Sequence, residues 1–233
     1  MPEAPDHFSR CSEMNRLGPA NTQYLEKPKA LLPKEFKEEM DAGAIVVDTR
    51  DVLPFASAHI PNAYGLSLRG NFATFAGWIL PPYPTILLVA DSENDVEIAC
   101  KGLYSVGLDR VKGYLKGGMN GFAMKGFRTS RLASISIEEL REKLEKKEVT
   151  LVDTRLKSEW DTFHILDSMH MPAPDVRARA TEIPVNKPVA FICNSGNRSL
   201  LAASLFLQKR NDIEVMNVLG GTSVWNALGY PIE

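Results

Sequence analysis

Val46-Val47-Asp48-Thr49-Arg50 returns 105 positions later as Leu151-Val152-Asp153-Thr154-Arg155. At the same offset Phe55 meets Trp160, His59 meets His164 and Ile60 meets Ile165. Further on the offset becomes 103: Ile86–Val89 aligns with Val189–Ile192, and Gly117-Gly118 with Gly220-Gly221. Self-similarity at a fixed period marks a duplicated structural unit. The chain therefore reads as two copies of about 100 residues each, after an N-terminal tail of about 30.

Each copy alternates helices with short apolar strands. In the first, helix is expected over Pro33–Ala42 and Asn94–Val106, and strand over Ala44–Asp48, Thr85–Ala90 and Val111–Leu115. Met119–Met124 closes that copy as a short helix. In the second, Ser136-Ile137-Glu138-Glu139 is a capping box opening a helix to about Lys147. Strands are expected over Val149–Asp153, Val189–Ile192 and Val215–Leu219, and helices over Ser199–Lys209 and Thr222–Leu228. The strands are continuously apolar rather than alternating, as in a parallel sheet covered by helices on both faces. Arg128–Ser134 reads as a linker, and the polar, proline-bearing tail as extended or partly disordered chain.

The 233 residues have a net charge of −2, with 44% hydrophobic and 24% charged residues. Nothing in that balance calls for nucleic acid or an anionic membrane surface. No apolar run has the length of a membrane span, and the N-terminus lacks a signal-peptide core. A cytoplasmic location is expected. The cysteines, Cys11, Cys100 and Cys193, form neither a CxxC pair nor a disulfide framework, and the four histidines form no HxH or HExxH. No metal and no cofactor is expected.

The chemistry concentrates at Cys193-Asn194-Ser195-Gly196-Asn197-Arg198-Ser199. Cys193 follows a buried strand and precedes a helix, and parallel sheets bind ligands at the carboxyl ends of their strands. The small polar residues and Gly196 let the loop curl into a nest of backbone N–H groups at a helix N-terminus, a setting for anions. A sulfur at its centre is favoured as thiolate, the nucleophilic form. Arg198 adds positive charge where the helix dipole disfavours it, which suggests a functional constraint. Cys193 is the expected nucleophile; Asn194, Ser195, Gly196, Asn197, Arg198 and Ser199 are the expected substrate-binding residues.

At these residues the sequence resembles the rhodanese family of sulfurtransferases. The resemblance rests on Asp153-Thr154-Arg155 with Glu159-Trp160 and His164-Ile165, on Cys193–Ser199, and on Gly220-Gly221 with Trp225 and Gly229-Tyr230-Pro231. It implies an α/β chain of two rhodanese-like domains, each a five-stranded parallel sheet flanked by helices, at residues 31–130 and 135–233. It implies that Cys193 takes a sulfane sulfur from thiosulfate or a persulfide such as glutathione persulfide. The sulfur then passes to a thiol or cyanide. Asp153, Arg155, Glu159 and His164 match family positions that are mainly structural. Phe163 and Asp167-Ser168 replace family glycine and Gly-Ala positions, at a turn near the domain edge.

The first copy departs at the loop. Ala90-Asp91-Ser92-Glu93-Asn94-Asp95 lies over Cys193–Arg198, so the nucleophile becomes Ala90 and the arginine becomes Asp95. This domain is expected to lack sulfurtransferase activity and to serve as a packing partner, with Cys100 in its core. The tail from Asp6 to Pro19 is similar to the segment that joins a metallo-β-lactamase-type domain to tandem rhodanese domains in some bacterial fusion proteins. That likeness implies a separate metallo-β-lactamase-type partner.

Two other functions fit the same residues. A persulfide carrier or redox-sensing module would use Cys193 without turnover on small acceptors. A phosphatase or arsenate reductase would need a wider cradle; related families use Cys-x5-Arg, against Cys-x4-Arg here.

Overall fold

The computed structural model describes residues 7–18, 27–210 and 212–233. The chain forms two compact units built on two five-stranded sheets, as the duplicated α/β pattern predicts. In chain order the first set of elements is α1 (His7–Leu17), β1 (Lys29–Leu31), α2 (Pro33–Asp41), β2 (Ile45–Asp48), α3 (Val52–Ser57), β3 (Tyr64–Gly65), α4 (Phe72–Ile79), β4 (Ile86–Val89), α5 (Glu93–Ser105), β5 (Val111–Leu115) and α6 (Gly118–Met124). The second set is β6 (Ala133–Ile135), α7 (Ile137–Glu145), β7 (Thr150–Asp153), α8 (Lys157–Trp160), β8 (Met169–His170), α9 (Val176–Arg179), β9 (Val189–Ile192), α10 (Asn197–Leu207), β10 (Val215–Val218) and α11 (Gly221–Ala227).

The strand orders are β1-β5-β4-β2-β3 and β6-β10-β9-β7-β8. Every residue of β4 and β9 is buried, which explains their unbroken apolar sequence. In the second sheet β9 lies between β7 and β10, parallel to both. The chain runs outward from β7 to β8 and returns on the other side, so β7 and β9 flank a reversal of strand order. Crevices at such reversals are where open α/β sheets hold ligands. Ile135, Leu140, Leu151, Ile192, Met216, Val218 and Trp225 form one core of the second unit, each fully buried large side chain contributing roughly 1.5–3 kcal/mol.

The repeat extends to the buried polar groups. Arg50 pairs with Asp48 at 2.6 Å and Arg155 with Asp153 at 2.7 Å, all four side chains buried. Phe55 and His59 stack at 4.1 Å, Trp160 and His164 at 3.9 Å. Each of these histidines uses Nδ1 toward the carbonyl oxygen four residues earlier, of Phe55 and Trp160. The turn in which Asp167 replaces a family glycine is also duplicated: Asp167 has φ 61° and its counterpart Asn62 φ 64°. Asn and Asp tolerate this left-handed conformation better than other non-glycine residues.

Two stretches differ from expectation. His7–Leu17, expected as extended or partly disordered tail, is a helix, and Arg10 donates from Nε and Nη2 to the Val106 carbonyl oxygen at 3.2 and 2.8 Å. That contact satisfies a helix-terminal carbonyl beyond α5, which local propensity cannot foresee. Asp6 and Pro19, which bound the tail segment likened to fusion proteins, lie outside the described residues. The expected linker Arg128–Ser134 gives its last residues to β6, paired with β10 through Ala133↔Met216 and Ser134↔Asn217. Strands as short as β1, β3, β6 and β8 exist through their partners, not through their own sequence.

Candidate active site

β9 delivers Cys193 to the end of the sheet, and three elements then hold it. On one side Thr154, just after β7, donates from N and Oγ1 to the Ile192 carbonyl oxygen at 2.8 and 2.9 Å. On the other, α11 grips the loop: Thr222 N donates to Cys193 O at 2.8 Å, Ser223 N to Asn194 O at 3.2 Å, and Ser223 Oγ to Asn194 Oδ1 at 2.7 Å. From below, Asn217 on β10 donates through Nδ2 to the Gly196 carbonyl oxygen at 3.3 Å. The loop is thus tied to the strand on each side of β9.

Gly196 caps α10 with φ 112°, a conformation open to glycine and strained for other residues. This turn brings its N–H to 3.1 Å from the Cys193 sulfur. Ser199 Oγ lies 3.4 Å from the same sulfur and 3.1 Å from Gly196 O; its single proton serves one acceptor at a time. Cys193 is 1% exposed. The sulfur therefore sits at the N-terminal end of the eleven-residue helix α10, where the helix dipole favours negative charge.

The expected site residues separate into two groups. Gly196 and Ser199 reach the sulfur. Asn194 and Ser195 are exposed at the loop mouth, and the Asn194 side chain is occupied by Ser223. Arg198 forms a two-pronged ion pair with Glu159: Nη1 donates to Oε2, and Nη2 to Oε1 at 2.7 Å. The Arg198 hydrogen bond, against partial burial, holds the Glu159 carboxyl below the usual carboxylate range. Burial works against the charge of Arg198, but Glu159 and then Cys193 hold the guanidinium firmly protonated. Glu159 thus supplies the countercharge for a cation at a helix N-terminus, a role its sequence position did not announce. Arg155 is engaged in the interior, bonding Asp153 and the Phe163 carbonyl oxygen at 2.7 Å.

Asn217 and Thr222 went unnoticed in the sequence. Both are fully buried, and Asn217 Oδ1 and Thr222 Oγ1 have no hydrogen-bond partner among the described residues. The one visible signal was a polar residue inside the otherwise apolar Val215-Met216-Asn217-Val218. No group of three or more metal-ligating side chains occurs among the described residues, and no described helix is long and apolar enough to cross a membrane.

The sequence pattern described as "Rhodanese-like domain" matches twice, at residues 32–125 and 136–228. The chain belongs to the rhodanese family. A Bacillus subtilis relative, YrkF, named provisionally as a sulfur carrier protein, is 33% identical over 97 residues, which cover 41% of this chain and 52% of that protein. The chain thus spans about half the length of this relative. A protein named sulfurtransferase from Allochromatium vinosum is 33% identical over 99 residues, 42% of this chain and 92% of the relative. Among solved structures, a rhodanese-related protein from Thermoplasma volcanium is 30% identical, covering 43% of this chain and 97% of its own, with a TM-score of 0.39.

Proposed function

We propose that this rhodanese-family chain is a sulfurtransferase whose nucleophile is Cys193. The carrying observation is the Gly196 N–H at 3.1 Å from the Cys193 sulfur, in a loop that opens a buried helix. The donor is thiosulfate or a low-molecular-weight persulfide such as glutathione persulfide. The Cys193 thiolate attacks the outer sulfur of the donor. The donor S–S bond breaks, and sulfite or the glutathione thiolate leaves with the bonding electron pair. A thiol or cyanide then attacks the outer sulfur of the Cys193 persulfide, and Cys193 departs as thiolate. The Gly196 N–H and the Ser199 hydroxyl stabilise the sulfur in both steps without a reorganising solvent shell.

The catalytic domain in this reading is residues 135–233, and residues 31–130 form a domain without a nucleophile. The site is placed in the cytoplasm, and a separate metallo-β-lactamase-type enzyme is the partner that would supply or consume its sulfur compounds. Names borne by relatives, a sulfur carrier and a sulfurtransferase, support sulfur chemistry. The deep burial of the sulfur gives weight to a second reading, a persulfide carrier served by protein partners. Phosphate chemistry is disfavoured because Glu159 occupies the arginine that a phosphate would need.

The test is intact and peptide mass spectrometry under non-reducing conditions after incubation with thiosulfate, and separately with glutathione persulfide. One added sulfur atom on the Cys193 peptide, removed by cyanide and lost in Cys193→Ser, is expected. Absence of that sulfur with both donors would overturn the assignment. Loading without multiple turnovers on cyanide or glutathione would select the carrier.

A further inference from the structure

The first domain keeps half of the grip that holds the catalytic loop and has lost the other half. Thr49 N and Oγ1 still donate to the Val89 carbonyl oxygen at 2.8 and 3.0 Å, as Thr154 does to Ile192. The second clamp is missing: among the described residues, no backbone hydrogen bond joins Met119 or Asn120 to Ala90 or Asp91, the counterparts of the Thr222 and Ser223 bonds. The two glycines at this junction record the same separation. A Cβ on Gly221 would lie 2.2 Å from Cys193 O, whereas a Cβ on Gly118 would meet nothing within 4 Å.

A cleft of about 510 Å³ occupies the space between the parted segments, lined by Arg50, Asp91, Ser92, Glu93, Tyr114 and Lys116 among others. That volume falls in the range of small-molecule sites, roughly 300–1,000 Å³. The lining carries both signs of charge. Arg50 is committed to Asp48, and Glu93 accepts from Tyr114 Oη at 2.8 Å. Lys116 on one wall and Asp91 on the other take part in no ion pair among the described residues, and no salt bridge joins them across the cleft. A purely anionic ligand would meet Asp91 and Glu93; a purely cationic one would meet Lys116 and Arg50. A ligand carrying one charge of each sign satisfies both walls.

We propose that this cleft binds a small zwitterion, an amino acid or short peptide, with its carboxylate toward Lys116 and its ammonium toward Asp91 and Glu93. The degenerate domain is then a ligand-binding module in its own right, not merely a packing partner. This assignment does not depend on the chemistry of Cys193.

The test uses the 233-residue chain carrying Cys193→Ser, labelled with ¹⁵N and titrated to millimolar concentration with glycylglycine and with alanylalanine. Thiosulfate and putrescine serve as single-sign controls. The expected result is saturable amide shifts at Ser92, Glu93, Gly117 and Gly118 with both zwitterions and not with either control. Lys116→Met and Asp91→Asn, both at exposed positions, should each weaken binding by about tenfold or more, the loss of one charge-assisted contact. The proposal is overturned if neither zwitterion shifts these amides, if thiosulfate or putrescine shifts them equally, or if both variants bind as the parent does.

Discussion

The Gly221 α-carbon packs so closely on the Cys193 carbonyl that a methyl group there would lie 2.2 Å from the oxygen. Gly221 also has φ 62°. The peptide that carries the candidate nucleophile is therefore positioned by the absence of a side chain on another element.

Gly221→Ala should move the loop. Left-handed backbone costs roughly 1–2 kcal/mol in a non-glycine residue, and the clash with backbone adds to this, for about 3 kcal/mol or more in all. Sulfur transfer should fall by about 100-fold, as expected for misplacement of a reacting atom. Gly118→Ala meets open space and should cost only the conformational part, with transfer intact. Urea unfolding and cyanide-acceptor assays on both variants check this pair; equal effects would contradict it.

Asn217 should matter more to turnover than to stability. Gly196 O also accepts from Leu200 N at 3.0 Å, so Asn217→Ala leaves no orphaned carbonyl. We expect stability within about 1 kcal/mol of the parent and a several-fold drop in kcat. Asn217→Asp should be far worse, by roughly 3 kcal/mol, because it buries a carboxylate against a carbonyl oxygen. Thermal unfolding combined with steady-state kinetics separates the two outcomes.

Removal of the Ser199 hydroxyl takes away the one side-chain donor at the sulfur among the described residues. Ser199→Ala should slow transfer by about tenfold, the scale of one charge-assisted hydrogen bond. The size of Ala and the helix propensity at this position should leave folding intact. Single-turnover loading of Cys193, followed by mass spectrometry, measures the effect directly.

Acid should release the Arg198–Glu159 pair. The Glu159 carboxyl is held below its ordinary value by the Arg198 hydrogen bond. The pair's contribution is thus complete above the unfolded carboxylate value and is lost as pH falls through the lower folded one. Glu159 is a third exposed, so screening limits the gain to roughly 1 kcal/mol. Calorimetry should find Glu159→Gln less stable than the parent near neutrality, with the gap closing below about pH 4. A gap independent of pH would refute the linkage.

The residues themselves determined the two-fold repeat, the α/β class, the buried central strands and the loop that bears Cys193. Those features rest on local causes: apolar runs of strand length, Ser136 with Glu139 at a helix start, and Gly196 where φ must be positive. The sequence did not determine the partners of the loop. Edge strands such as Ala133–Ile135, the Asn217 tether, the Glu159 countercharge on Arg198 and the Thr222 clamp on Cys193 bring together residues far apart in the chain. Such contacts depend on strand order and register, which a single sequence leaves open. The same holds for the cleft in the first domain. Its acidic charges were visible beside Ala90, but only the folded chain parts Gly118 from that loop and brings Lys116 into one cleft lining with Asp91.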